Sequence, residues 1–143
     1  MYEIAFKKLG LSSTPTGDAD APAEEYINEC CNGGDIVIAR VLPALREGGA
    51  RVEHGQEDWG WFAWSYHGTR RLAVHVQCDA VETGEMRALV WVYERGPWWA
   101  LWREREIDGP ALDALRDLVL EALEGWADGP CVVDHHVPHG RPG

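Results

Sequence analysis

Glu57-Asp58-Trp59-Gly60-Trp61-Phe62-Ala63-Trp64-Ser65-Tyr66 sets four aromatics within six residues behind a carboxylate pair. Its period is two: Trp59, Trp61 and Ala63 fall on one side of an extended chain, and Phe62, Trp64 and Tyr66 on the other. His67-Gly68-Thr69 then supplies a turn. Beyond it Leu72, Val74, Val76 and Cys78 face one way while Arg71, Ala73, His75 and Gln77 face the other, a hairpin pattern. A third strand through Ala88-Leu89-Val90-Trp91-Val92-Tyr93 is apolar on both faces, which places it centrally in a sheet. Arg95-Gly96-Pro97 breaks it, and Trp98-Trp99-Ala100-Leu101-Trp102 is expected to return as a fourth strand with Arg103 to Glu106 as its charged end.

Outward from this meander, Tyr2-Glu3-Ile4-Ala5-Phe6-Lys7 alternates like a half-buried strand. Pro22 is expected to open a short helix through Glu24, Glu25, Tyr26 and Ile27. Asp35 is the expected cap of a second helix whose apolar face is Ile38, Val41, Leu42 and Leu45, with Pro43 as a conflict and Gly48-Gly49 as its end. The clearest helix runs from a cap at Asp108 and Pro110 through Leu112, Leu115, Val119, Ala122, Leu123 and Trp126. Cys131-Val132-Val133 is a last strand or coil. The expectation is an α+β fold: an antiparallel four- to five-stranded meander with two or three helices packed mainly on one face. A chain of 143 residues forms one domain, 1–143, with a mobile loop at 10–23 and a loose C-terminal tail at 134–143.

The formal net charge is −11, and acids exceed bases in each third of the chain. A field this broad repels nucleic acid and anionic lipid and draws basic partners. Neither a signal segment nor a membrane-spanning apolar run is expected, and Cys30, Cys31, Cys78 and Cys131 lack CxxC spacing, so free thiols in the cytoplasm fit best.

Chemistry-bearing patterns are few. Cys131, Asp134, His135, His136 and His139 offer ligand types for zinc or copper, but at the end of a loose tail a solvated role is expected. Glu57 and Asp58 are adjacent and diverge on a strand, which suits them poorly to paired acid–base work. His75 and Cys78 are three apart and so fall on opposite faces, with Cys78 a buried thiol. No catalytic residue, cofactor or metal is therefore expected. Trp61, Trp91 and Trp126 are expected in the core. Alternation forbids the same for all eight tryptophans, so some stand exposed among acids, as in a protein-binding patch.

A helix, a Glu-Asp-Trp-Gly-Trp strand, a hairpin, a Trp-bearing third strand and a closing helix, over residues 35–126, resemble the immunity proteins of bacterial polymorphic and contact-dependent toxin systems. The resemblance implies a protein that binds a cognate basic toxin domain, a nuclease by preference, and neutralises it stoichiometrically without catalysis. The expected partner-binding residues are Glu57, Asp58, Trp59, Trp64, Asp79, Glu82, Glu85 and Trp98. Two other readings stay open: an acidic secretion-chaperone-like module, for which a homodimer is expected, and an enzyme or metal protein using His75, Cys78 or the tail.

Overall fold

The computed structural model describes residues 1–11, 26–100 and 102–138. The chain begins with β1 (Tyr2–Lys7), followed by a 3-10 turn at Glu29–Cys31 and helix α1 (Gly34–Leu45). Four long strands come next: β2 (Arg51–Glu57), β3 (Gly60–His67), β4 (Arg70–Ala80) and β5 (Glu85–Arg95). A 3-10 turn at Trp98–Ala100, short β6 (Glu104–Glu106), helix α2 (Pro110–Leu123) and β7 (Val132–His135) complete it.

The expected four- to five-stranded sheet is corrected to one antiparallel sheet of seven strands with two α-helices among the described residues, so sheet dominates. The order is β2-β3-β4-β5-β1-β7, with β6 beside the far end of β5. β1 takes residues 85–90 of β5 and β6 takes 93–95. The two short strands thus lie end to end along one long one. The Met1 amino group seals the junction, 2.9 Å from Glu106 Oε1 and 3.0 Å from the carbonyl of His136.

Three strand readings change, each for a local reason. Arg51–Glu57 is polar on both sides and carries Gly55, so it lacks an apolar alternation, yet it forms the edge strand β2. An edge strand needs only one neighbour and tolerates charge, which also discourages pairing between chains. Trp98–Ala100 form a 3-10 turn, not a strand. Gly96 N–H bonds the carbonyl of Arg103 (2.8 Å) and Ala100 N–H that of Pro97 (2.7 Å), which closes a loop and starts β6 only at Glu104. Finally, Asp134 and His135, read as the start of a tail, belong to β7 and pair with Glu3 and Tyr2 of β1.

The helix caps also differ. α1 starts at Gly34 after Gly33 in the left-handed region (φ 76°), and Asp35 lies inside the first turn, where it accepts the Tyr26 hydroxyl at 2.8 Å. α2 is preceded by Gly109 at φ 135°, with no side-chain cap, while Asp108 accepts the Gly109 amide and pairs with His135. Pro43 sits in the last turn of α1, exposed, and the helix runs through it to Leu45. Of the short helix expected from Pro22, residues 22–25 lie outside the described residues, and Tyr26–Asn28 lead into the 3-10 turn. Residues 12–23 of the expected mobile loop lie outside them too.

Both helices pack on one sheet face. Val37, Ile38, Val41, Leu42 and Leu45 of α1 and Leu112, Leu115, Val119 and Leu123 of α2 bury against Ile4, Phe6, Trp61, Ala63, Val74, Val76, Ala88, Val90 and Val92. Trp61 is 7% exposed, and its indole N–H donates to the carbonyl of Cys31 at 2.8 Å, so the largest core residue has its polar atom satisfied. Buried Ser65 donates to the carbonyl of Leu45 at 2.8 Å and ties β3 to the end of α1. Among the described residues no helix is long and apolar enough to cross a membrane.

Candidate functional site

Because both helices take one face, the other is covered, among the described residues, only by its own side chains. Strand register decides which. Trp64 of β3 and Trp91 of β5 flank Ala73 of β4, and Phe62 and Leu89 flank His75. A methyl group between two indoles lets both rings lie across the sheet, and Ala73 is fully buried. Trp91 therefore leaves the core, where it was expected. Trp59 leaves the Trp61 side as well. It sits in the two-residue turn between β2 and β3, and Gly60 (φ 146°) resets the alternation. A side chain at Gly60 would meet the carbonyl oxygen of Val76 at 2.2 Å, so only glycine fits there.

His75 is the centre of this face. Its ring lies 4.5 Å from that of Trp59 and meets Trp91 edge-on at 4.6 Å, while Trp64 Nε1 donates to its Nε2 at 3.3 Å. Burial, helped by the nearby Arg71 cation, lowers its pKa to about 4. The imidazole is neutral at pH 7 and acts as an acceptor within an aromatic cluster. One step along, the Arg71 guanidinium is held between Trp64 (4.6 Å) and Tyr93 (4.5 Å), and its Nη2 is 2.7 Å from Glu104 Oε2. Stacking and pairing together fix this side chain flat against the sheet.

The expected partner-binding residues fall into three places. Glu57 ends β2 and Asp58 begins the β2–β3 turn, and Asp79, Glu82 and Glu85 flank the β4–β5 connection at the same end of the sheet. Asp79 lies at a register shift and reaches Arg87 Nε at 2.8 Å. Glu57, Asp58, Glu82 and Glu85 have no ion pair among the described residues. Trp59 and Trp64 lie on the open face beside this acidic end. Trp98 does not join them: it follows Arg95, at the other end of an 11-residue strand, roughly 33 Å away at 3.3 Å per residue. It is 82% exposed, with Trp99 at 68% and Trp102 at 75%.

The residues weighed for chemistry are placed as follows. His75 faces outward from the open side and Cys78 lies buried under the helices, its thiol pKa raised by burial. Glu57 is two strands from His75, and Trp59 occupies the space over the ring instead. Ser65 Oγ lies 2.6 Å from His67 Nε2, a pairing the sequence reading passed over. The serine proton is already given to Leu45, so His67 must donate; that arrangement holds a serine in place and does not activate it. In the tail, His135 stacks on Tyr2 (4.5 Å) and pairs with Asp108 (2.9 Å), and His136 approaches Glu3 (3.7 Å). Among the described residues no three His, Cys, Asp or Glu side chains converge as for a metal, and His139 lies outside them.

Phe62, Arg71, Trp91 and Tyr93 were missed as surface residues. Their signal was present: each shares a strand side with Trp64 once the three strands are aligned. Period two assigns a side within a strand, whereas only pairing register and helix placement say which side is covered. Family models, curated proteins and solved structures contain no match to this chain.

Proposed function

We propose that this chain is an acidic binding protein that neutralises a basic protein partner by covering it, the partner being a toxin domain such as a nuclease. The observation that carries the reading is the adjacency, among the described residues, of an aromatic sheet face without a helix over it and a sheet end where four carboxylates lack an ion pair. The two features have complementary roles. Carboxylates at the rim attract and orient a cationic surface over a Debye length of about 8 Å, which raises association rate more than affinity. Trp59, Trp64 and Trp91 offer ring area that is already ordered by mutual contacts, so little side-chain entropy is lost when a partner covers it. A nuclease groove that binds phosphates is basic and would be closed by such a surface.

The test is a search of the neighbouring genes for a secreted protein with a basic C-terminal domain, followed by titration of the chain against that domain. The expected result is a 1:1 stoichiometry per chain, with an association rate that falls about tenfold or more between low and high salt. The joint reversal Glu57→Lys and Asp58→Lys should slow association by a similar factor. Absence of any such basic partner, or binding indifferent to that reversal, overturns the proposal.

A further inference from the structure

The Trp98–Trp102 loop is unexplained by the acidic end. Two of its tryptophans, Trp99 and Trp102, line an open hollow of about 990 Å³ with Pro97 and Ala100, while Trp98 stands beside it and does not line it. We propose that this loop is a self-association surface, in which Trp98 of one copy enters the hollow of a second copy about a two-fold axis.

Shape and area support a second copy as the occupant. A projecting ring next to a ring-lined hollow is self-complementary, the requirement of an isologous contact. A flat bilayer would leave the hollow unfilled. A small ligand would lie in an open bowl whose tryptophans are mostly solvated, whereas small-molecule sites enclose most of their ligand.

The loop also supplies cations for the facing rings. Although the chain carries −11, the acids near the loop are neutralised internally: Glu94 by Arg70, Glu104 by Arg71 and Glu106 by the amino terminus. Arg95, Arg103 and Arg105 have no ion pair among the described residues, and Arg103 lies on its own Trp102 ring at 4.4 Å. The acidic end is several Debye lengths away. The unpaired guanidinium groups of each copy can stack on the indoles of the facing copy, which sets cation against ring instead of cation against cation.

Exposed tryptophans at about 150–250 Å² each put on the order of 400–500 Å² per copy into the contact. Across the axis this is close to the ~1,000 Å² that separates a specific interface from a chance contact. The dimer leaves both acidic ends free, so partner binding would be one per chain.

Sedimentation equilibrium of the full chain tests this. The expected species at tens of micromolar is twice the 16.0 kDa chain mass. Trp98→Ala should weaken the dimer at least tenfold, and Trp98→Ala with Trp99→Ala should leave monomer with an unchanged far-ultraviolet dichroism spectrum. Glu57→Lys with Asp58→Lys should leave the dimer intact, which separates this inference from the proposed function. A monomer at that concentration overturns it. So does a dimer that resists the tryptophan changes but yields to Val133→Lys on the β7 edge. A monomer whose Trp98 is needed for pelleting with phosphatidylglycerol vesicles, or for binding the basic partner, overturns it also.

Discussion

Trp64 and His75 are joined across β3 and β4 by a bond from the indole Nε1 to the imidazole Nε2, at 3.3 Å. An indole N–H can only donate, so this bond requires an unprotonated Nε2. The aromatic cluster and the neutral state of His75 therefore depend on each other.

That dependence has a sign in pH. The His75 pKa is about 4 in the fold against an ordinary 6.5. Between these values the unfolded chain binds more protons, so stability is complete above about pH 6.5 and is lost as pH falls toward 4. Two and a half units would be about 3 kcal/mol at full burial, and residual water contact reduces it to about 1–2 kcal/mol. His75→Gln keeps an acceptor and removes the titration. Urea unfolding at pH 7 and pH 4.5 should show a smaller acid loss in this variant than in the parent; equal losses would dismiss the role.

Gly34 opens α1, where alanine is favoured over glycine by up to about 1 kcal/mol. Here the ranking should invert. A β-carbon at Gly34 would stand 2.5 Å from Cδ1 of Trp61, whose ring is buried and tied to Cys31. Gly34→Ala is expected to destabilise by about 1–3 kcal/mol. Combining it with Trp61→Phe should cost less than the two single changes together, because both act on the same ring. Thermal unfolding of the four proteins measures the coupling.

Arg71 is expected to resist conservative exchange. Lysine keeps the charge near Glu104 but has no planar group to lie between Trp64 and Tyr93. Arg71→Lys should cost about 1 kcal/mol in denaturant unfolding and blue-shift no tryptophan. A variant as stable as the parent would mean that the stack contributes nothing.

Charge reversal at Glu57 and Asp58 should be silent in stability, within about 0.5 kcal/mol. The hairpin end is held through main-chain oxygens: Cys31 Sγ reaches the carbonyl of Glu57 at 3.0 Å, and the Asn28 amide reaches that of Asp58. The carboxylates are left for other contacts. A large stability change would place them in the structure of the hairpin instead, and equilibrium urea unfolding decides this.

Much of the architecture was legible in residues 57–93, because period two and the Gly68 turn (φ 61°) are local properties of the chain. β3, β4 and the central β5 followed from them, and the apolar stripes of both helices followed from helical spacing elsewhere in the chain. β2 was not legible, since an edge strand has little apolar pattern to show. The loop at Trp98 misled for the opposite reason, its aromatic density imitating a strand that the Gly96–Arg103 hydrogen bond prevents. Of the candidate site, the five carboxylates could be named from sequence, but not that the turns gather them at one end while Trp98 lies at the other.

By itself the sequence determined the excess of acid, the two-faced aromatic strand and the impossibility of burying every tryptophan. Those follow from composition and from side chains alternating along an extended chain. Tertiary structure alone decided which face is open, because both helices must lie on one side to bury their stripes together. The same packing sent Trp61 into the core and Trp64 and Trp91 to the outside, a choice that residues of identical chemistry cannot encode locally.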